Sequence, residues 1–322
     1  MGIDLSLGVP IIKGLPVPML SGITAEKLIR YPRYFTEREL NIVKLTFLLG
    51  KLETTYSNCT VHNGARSALT SALMCLKDLG INKAITPRPF WPGYSSIFLL
   101  ADIELDSYST KEEFPETVAY LICLPNNPNG ERNFRLLKSY LESGSWVVID
   151  CVYFGFLTDK EKIEFIEILT PHSNYTLVFS ASKYTAAPNI RIGYTFSKDT
   201  HFSERIKEKQ FSISNMPSDL NREIACDLLE CKERVVKIRD YYIRICSRIN
   251  PLKNRFNINF TAYGMFLWVE TKYANSSITA HHIKNKLNII GTEVGEFGTR
   301  WLLIEGINYE SILNAIEDVD CE

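Results

Sequence analysis

The chain has 322 residues, of which 45% are hydrophobic and 23% are charged. These proportions are ordinary for a folded globular protein, and the length is sufficient for a large core and two domains. The formal net charge of −1 excludes a strongly basic surface for nucleic acid or an anionic membrane. No apolar run is long enough to span a membrane, and the first residues lack a signal-peptide pattern, so we expect a cytoplasmic protein.

The eight cysteines and five histidines carry no signature of a metal site or a disulfide framework. No two cysteines have CxxC spacing, several lie inside apolar runs, and the histidines lack metal-ligand spacing. We therefore expect buried, reduced thiols and no bound metal.

Short apolar runs alternate with helical patterns over the first 250 residues. Strands are predicted at 83–86, 119–124, 146–151, 175–179 and 191–196, and helices at 64–79, 132–142 and 218–249. Continuous apolar strands separated by helices predict an α/β domain with a mainly parallel sheet. In such a sheet, ligands collect at the carboxyl ends of the strands.

The pattern changes after residue 250. A strand at 260–270, a helix at 278–287, a strand at 300–305 and a helix at 309–319 predict a smaller α+β domain. The predicted division is an N-terminal arm with part of the small domain at 1–40, a large cofactor-binding domain at 41–235 and a small domain at 236–322.

Lys183 is the most informative candidate for chemistry. It follows the predicted strand at 175–179, where burial can remove its charge and leave an amine nucleophile. Ser180 and Ser182 lie beside it, and Arg191 follows eight residues later. Hydroxyls and an arginine can hold a phosphate. The combination predicts a Schiff-base lysine with a phosphorylated cofactor, pyridoxal phosphate (PLP).

Two further strands end in polar side chains that suit this cofactor. Asp150 ends an apolar strand, where a protonated pyridine nitrogen would supply the cation that a buried carboxylate needs. Read alone, Asp150 is more typical of a cap or turn. Tyr153 can donate a hydrogen bond to the phenolate oxygen of the ring, or simply pack as an aromatic. Asn127, in a doubled Asn-Asn-Pro after another strand, is placed beside the same oxygen, although a plain turn has the same composition.

The remaining motifs are weaker. Gly64 and Ala65 form a turn that opens a helix, where backbone N–H groups and the helix dipole favour a phosphate. Trp91 offers a ring on which a pyridine could stack, but a core tryptophan is equally compatible. Arg300 begins a predicted strand and suits an α-carboxylate, whereas a surface arginine is the default interpretation.

Taken in order, these motifs resemble fold-type I PLP enzymes, the aspartate aminotransferase superfamily. The resemblance covers residues 28–316, and its specificity lies in the order of seven individually weak motifs. They are Gly64-Ala65, Pro89-x-Trp91, Asn126-Asn127-Pro128-x-Gly130, Asp150-x-x-Tyr153, Ser180-x-Ser182-Lys183, Arg191 and Phe297-Gly298-x-Arg300. Within the superfamily the motifs are most similar to tryptophan–pyruvate aminotransferases and alliin lyases. Asn129 replaces the usual threonine of that branch, and Ala186-Ala-Pro-Asn189 replaces a glycine-rich stretch.

The resemblance implies a role for each residue. Lys183 forms the Schiff base and moves the proton, Asp150 pairs with the ring nitrogen, and Tyr153 and Asn127 hold the phenolate oxygen. The other implied contacts are Trp91 on the ring, Gly64, Ala65, Arg66, Ser180, Ser182 and Arg191 around the phosphate, and Arg300, Asn127 and Gly8 at the substrate. Tyr31 resembles a tyrosine that reaches the phosphate of a neighbouring subunit, which implies a homodimer with shared active sites.

The expected activity is an aminotransferase that cycles between amino-acid and keto-acid substrates by a ping-pong mechanism. A β-eliminating C–S lyase is the main alternative, since it would use the same lysine and ring. A decarboxylase, cyclase or oxidase of amino-acid metabolism is a third possibility. A PLP-binding sensor without turnover is disfavoured, because the first 40 residues show no DNA-binding pattern.

Overall fold

The structure, a computed structural model, describes residues 2–6, 8, 10–18, 32, 35–108, 118–271 and 276–320. Its strands are β1 (Ile3–Asp4), β2 (Cys59–His62), β3 (Lys83–Pro87), β4 (Glu104–Tyr108), β5 (Ala119–Cys123), β6 (Val147–Asp150), β7 (Tyr175–Ser180), β8 (Gly193–Phe196), β9 (Phe260–Tyr263), β10 (Phe266–Glu270), β11 (Ile289–Ile290), β12 (Thr292–Val294) and β13 (Gly298–Leu302). Its α-helices are α1 (Glu37–Thr46), α2 (Ala65–Asp78), α3 (Gly93–Ala101), α4 (Phe134–Glu142), α5 (Asp159–Leu169), α6 (Ala181–Tyr184), α7 (Thr200–Ser214), α8 (Asp219–Glu230), α9 (Lys232–Ile249), α10 (Ser276–Leu287) and α11 (Tyr309–Asp320).

The large sheet has seven strands in the order β2-β8-β7-β6-β5-β3-β4. Strands β3 to β7 pair in parallel, whereas β8 runs antiparallel to both of its neighbours. The expected α/β fold with a mainly parallel sheet flanked by helices is therefore confirmed. Neighbouring residues of the central strands pack into two different hydrophobic cores, one on each face of the sheet, because side chains alternate between the faces. Ile149 packs with α4 and α5, and its neighbour Val148 packs with α2 and α3.

A second sheet lies later in the chain, with four antiparallel strands in the order β12-β13-β10-β9. Helices α9, α10 and α11 supply the other half of its core, through residues such as Tyr242, Ile283 and Ile312. The N-terminal segment joins this part of the chain, since β1 pairs in parallel with β11.

Two of the predicted elements are each divided in the structure. The single helix predicted at 218–249 is two helices, because Cys231 adopts φ −72° and ψ 79° between α8 and α9. No glycine or proline marks this break. The strand predicted at 260–270 is the β9–β10 hairpin, which turns at Gly264 with φ +55°. The division into domains at residues 40 and 235 stays a prediction.

Seven cysteines lie in the described part of the chain, and all of them are free thiols. No helix among the described residues is both long and apolar enough to cross a membrane.

Candidate active site

The candidate site lies where three neighbouring strands of the large sheet end. Strand β5 leads into the loop that contains Asn127, β6 ends at Asp150, and β7 ends at Ser180, just before Lys183. The strands are adjacent and parallel in the order β5-β6-β7, so their carboxyl ends share one edge. The fold thus brings together side chains that are separated by more than fifty residues in the sequence.

Lys183 lies on the single helical turn α6, and Ser180 is the N-cap of this turn. The Ser180 Oγ accepts a hydrogen bond of 3.1 Å from the backbone N–H of Ser182. The Lys183 ammonium donates to the carbonyl of Gly8, so the N-terminal segment reaches the lysine. Burial lowers the pKa of Lys183 to about 8, and the positive charges of Arg300 and Arg191 add to this effect. A large part of the amine is therefore neutral in mildly alkaline solution.

Asp150 is 4% exposed, and its carboxylate accepts hydrogen bonds from two neutral donors among the described residues. The Tyr94 hydroxyl donates to Oδ2 over 2.7 Å, and the Val152 N–H donates to Oδ1 over 3.0 Å. Burial raises the pKa of Asp150 to about 6, although both hydrogen bonds oppose this effect. In the described part of the chain no lysine or arginine forms an ion pair with it. A buried carboxylate without a cation is costly, so this position suits a positively charged ligand atom.

Arg300, Asn127 and Tyr153 form one hydrogen-bonded group. The Arg300 Nη1 donates to the Asn127 Oδ1 over 2.7 Å, and the Asn127 Nδ2 donates to the Tyr153 hydroxyl over 3.2 Å. Arg300 is 5% exposed, and its Nη2 donates to the Ser6 carbonyl and to Thr292, at 3.2 Å each. Burial lowers the pKa of Arg300 and raises that of Tyr153.

The ring of Phe266 connects Arg300 to the lysine. The Arg300 guanidinium carbon lies 4.3 Å from the Phe266 ring centroid, and the Tyr153 ring packs edge-on against the same ring at 5.7 Å. A Cβ on Gly8 would lie 3.3 Å from Phe266 and 3.4 Å from the Lys183 Nζ. Arg300 thus lies in the same site as Lys183. It has no carboxylate partner among the described residues, and its Nε is buried without a hydrogen bond.

The loop that presents Asn127 is fixed by its own amides. The Asn126 Nδ2 donates to the Pro89 carbonyl at 2.9 Å and to the Asn129 Oδ1 at 2.8 Å. The same Asn129 oxygen accepts from the Glu131 N–H at 3.2 Å. The residue that departs from the usual threonine therefore has a structural function in this loop.

The predicted phosphate turn lies at the start of α2. Gly64 has φ +87°, and no side chain in the described ranges forms a capping hydrogen bond with this helix start. A Cβ on Gly64 would lie 2.5 Å from the Arg191 Nη2, and one on Gly193 would lie 2.6 Å from the backbone N of Ala65. The arginine therefore covers the turn. The absence of a side chain at Gly64 admits the arginine, and its absence at Gly193 lets strand β8 approach the backbone of Ala65. The first N–H groups of α2 and the guanidinium together form a concentration of positive charge.

Several details of this turn differ from the sequence prediction. Strand β8 begins at Gly193, so Arg191 lies before the strand and does not open it. Arg191 follows a 3₁₀ turn at 188–190 and has φ +50°. Its guanidinium donates a hydrogen bond to the Pro188 carbonyl. The Arg66 guanidinium is engaged elsewhere, with its carbon 5.0 Å from the Trp91 ring centroid and its Nη1 3.3 Å from Ser96. Arg66 can therefore contribute its backbone N–H, and not its guanidinium, to the phosphate turn.

Trp91 reaches the site through Tyr94, whose ring packs edge-on against it at 5.4 Å. Tyr94 also binds Asp150, and sequence reasoning assigned it no function. The contacts of Ser6 and Phe266 were missed as well, because nothing local marks them. Tyr31, the residue predicted to cross to a neighbouring subunit, lies outside the described residues.

The family model for aminotransferase class I and II matches residues 25–305. The chain belongs to this family. Members of the family are PLP-dependent enzymes.

Individual class I and II aminotransferases are distant relatives of this chain. Histidinol-phosphate aminotransferase 2 of Bacillus thuringiensis is 33% identical over 30% of this chain and 27% of its own length. Histidinol-phosphate aminotransferase of Rubrobacter xylanophilus is 22% identical over 80% of this chain and 77% of its own length. The first match thus spans only about a quarter of that relative. A crystal structure of aspartate aminotransferase from Thermotoga maritima superposes with a TM-score of 0.77 at 17% identity, over 100% of this chain and 92% of that one.

Three independent observations show that the residues of this site fit PLP. The buried Asp150 carboxylate has no cationic partner among the described residues. The uncapped start of α2 lies under Arg191, which suits a phosphate. The Ser182 hydroxyl, next to Lys183 in the sequence, is buried without a hydrogen-bond partner in the described structure. Together with an amine whose pKa is lowered, these features provide a place for each polar part of the cofactor.

Proposed function

We propose that the protein is a PLP-dependent aminotransferase that acts on an L-α-amino acid. The observation that carries this proposal is the presence of a half-buried and a buried cationic side chain in one site. One is Lys183, whose pKa is lowered to about 8. The other is Arg300, whose described partners are all neutral. The first suits a nucleophile, and the second suits a substrate carboxylate.

Each side chain of the site has a separate role in the proposed reaction. When it is bound, PLP supplies an electron-withdrawing ring that stabilises negative charge at the α-carbon of the amino acid. Asp150, held in place by hydrogen bonds from Tyr94 and Val152, would pair as an anion with the protonated ring nitrogen of the cofactor. Arg300 and Asn127 bind and orient the carboxylate. Lys183 removes the proton from the α-carbon and returns it, since its amine is the base in this pocket with a suitable pKa.

The choice of substrate follows from Arg300. Its guanidinium can bind a carboxylate or a phosphate, because both present paired oxygens to its N–H groups. The curated relatives are named for histidinol phosphate, so this compound belongs in the substrate screen beside the amino acids. The placement within the tryptophan–pyruvate aminotransferase and alliin lyase branch stays a prediction.

The decisive experiment is a half-reaction. PLP-loaded protein is mixed with each amino acid, or with histidinol phosphate, in the absence of an acceptor. We expect one equivalent of carbonyl product per site, and continuous turnover only after a keto acid is added. Lys183→Ala should abolish product formation. Steady release of ammonia and pyruvate without an acceptor would instead identify a β-eliminating lyase, and carbon dioxide would identify a decarboxylase.

We also propose a cytoplasmic homodimer in which Tyr31 of one subunit completes the phosphate site of the other. Mixing two inactive variants, Tyr31→Phe and Lys183→Ala, tests this assembly. Shared sites predict that some activity returns in the mixed dimers, whereas independent sites predict that none returns. The division into an N-terminal arm at 1–40, a large domain at 41–235 and a small domain at 236–322 completes the proposal.

A further inference from the structure

A buried polar network lies directly behind the phosphate turn. His62 is the last residue of β2, is 0% exposed, and stands two residues before Gly64. Its carbonyl accepts a hydrogen bond of 2.7 Å from the Gly64 N–H, which makes its backbone part of the turn. Its ring nitrogens lie 2.7 Å from the Gln210 Oε1 and 2.9 Å from the Thr195 Oγ1.

The network fixes the proton on the His62 ring. The Gln210 Nε2 lies 2.7 Å from the carbonyl of Asn215, which can only accept, so the amide nitrogen must face that way. The Gln210 Oε1 then faces His62, and the Nδ1 of the ring must be the donor. Burial lowers the pKa of His62 to about 4, so the ring is neutral and its Nε2 accepts from Thr195.

The same glutamine holds the chain on both sides of the turn. The Ser67 hydroxyl, in the first turn of α2, donates to the Gln210 Oε1 over 2.8 Å. The Gln210 Nε2 also donates to Ser214, which in turn accepts from the Asn63 Nδ2 over 3.0 Å. His62 and Asn63 precede Gly64, and Ser67 follows it. The C-terminal end of α7 therefore binds three of the six residues from His62 to Ser67.

A buried histidine is often only a packed core residue. His62, however, is hydrogen-bonded to the segment around the Gly64–Ala65 turn, whose N–H groups must face the phosphate. Anion binding by backbone N–H groups depends on their orientation, because each group contributes only along its own N–H direction. We propose that His62 and Gln210 are positioning residues that hold the Gly64–Ala65 turn in its phosphate-binding conformation. This inference rests on the proposed PLP site, and it adds residues to which the family motifs assign no role.

The test compares two substitutions of His62 that each keep one of its hydrogen bonds. In His62→Asn the amide nitrogen takes the place of the ring Nδ1 and can still donate to Gln210. In His62→Gln the amide takes the place of the ring Nε2 and can bind only Thr195. Both variants remove a ring from the same buried position, so both lose packing. Affinities for PLP and for pyridoxal, which lacks the phosphate, are measured on the full-length protein after cofactor removal.

We expect His62→Gln to lower the preference for PLP over pyridoxal by about ten-fold, the effect of one lost hydrogen bond. We expect His62→Asn to retain the wild-type preference, and Gln210→Met to reproduce the loss. Equal losses in His62→Asn and His62→Gln, or an unchanged preference in His62→Gln, would overturn the inference. If the wild-type protein showed no preference for PLP over pyridoxal, the proposed cofactor site itself would be wrong. That outcome differs from those that contradict the role of His62 and Gln210, so the two failures are distinguishable. Urea unfolding of the cofactor-free variants should give similar midpoints for the two His62 variants.

Discussion

Replacing Asp150 with asparagine should stabilise the cofactor-free protein while it removes the function. The Asp150 carboxylate is buried and has no cation partner among the described residues. An asparagine in its place can accept from the Val152 N–H and donate to the Tyr94 hydroxyl oxygen. The Tyr94 O–H, which donates to Asp150 in the wild type, can then turn to the sulfur of Cys123, with which it also forms a hydrogen bond. The substitution therefore removes the cost of a buried charge without creating a new one.

The magnitude follows from the pKa of the carboxyl, which is raised from 3.8 to about 6 in the folded protein. At about 1.4 kcal/mol per pKa unit, the ionised form costs about 3 kcal/mol above pH 6. Because the folded state binds more protons than the unfolded state between these two pKa values, stability falls as pH rises through this window. The advantage of Asp150→Asn should be about 3 kcal/mol at pH 8, about 2 kcal/mol at pH 5.5, and close to zero below pH 4.

Urea unfolding of the cofactor-free wild type and Asp150→Asn between pH 5.5 and 8 measures this difference. Asp240→Asn is the matched control, because it removes the same charge from an exposed position on α9. With saturating PLP the sign should reverse, since the carboxylate then has a positive partner. An Asp150→Asn protein that is less stable than the wild type at pH 8, or an advantage that does not change with pH, would refute this reasoning.

Two further substitutions test the turn and the core. Gly64→Ala should weaken PLP binding by at least about ten-fold, because its Cβ would lie 2.5 Å from the Arg191 guanidinium. Gly80→Ala is the control in equilibrium binding: it has nearly the same φ, +82°, but no atom lies within 4 Å of its Cβ. Glu39→Gln should lower the free energy of unfolding by about 3 kcal/mol in urea titrations at pH 7, because it breaks the buried ion pair with Arg222. An unaltered unfolding midpoint in Glu39→Gln would contradict that value.

The central strands could be predicted from the sequence because both of their faces are buried. Strands β5, β6 and β7 are continuous apolar runs, and each boundary lies within one residue of its prediction. The polar side chains that follow them were found for the same reason. The edge strand β4 was missed, because its sequence Glu-Leu-Asp-Ser-Tyr alternates with polar residues and one side faces solvent.

Contacts between distant segments could not be predicted in this way. The bond from Tyr94 to Asp150 joins the start of helix α3 to the end of strand β6, 56 residues apart, and the bond from Lys183 to Gly8 spans 175 residues. Neither partner carries a local signal, since a tyrosine after a turn and a glycine near the N-terminus are common. The break at Cys231 was missed because no helix-breaking residue marks it, and tertiary packing decides its position.

The two ionisable groups at the centre of the site have opposite pH dependences. The pKa of Lys183 is lowered from 10.5 to about 8 by burial, so its ammonium costs about 3 kcal/mol below pH 8. The folded state binds fewer protons than the unfolded state between pH 8 and 10.5, and stability there rises with pH. For Asp150 the stability of the folded state falls as pH rises towards 6. Between pH 6 and 8 the buried carboxylate of Asp150 and the ammonium of Lys183 therefore both destabilise the folded state. In the cofactor-free protein, Lys183→Met should therefore be more stable than the wild type at pH 7, by an amount that shrinks towards pH 10. Urea unfolding measures it, and an advantage that grows with pH would show that the lysine is solvated and unsuited to its proposed role.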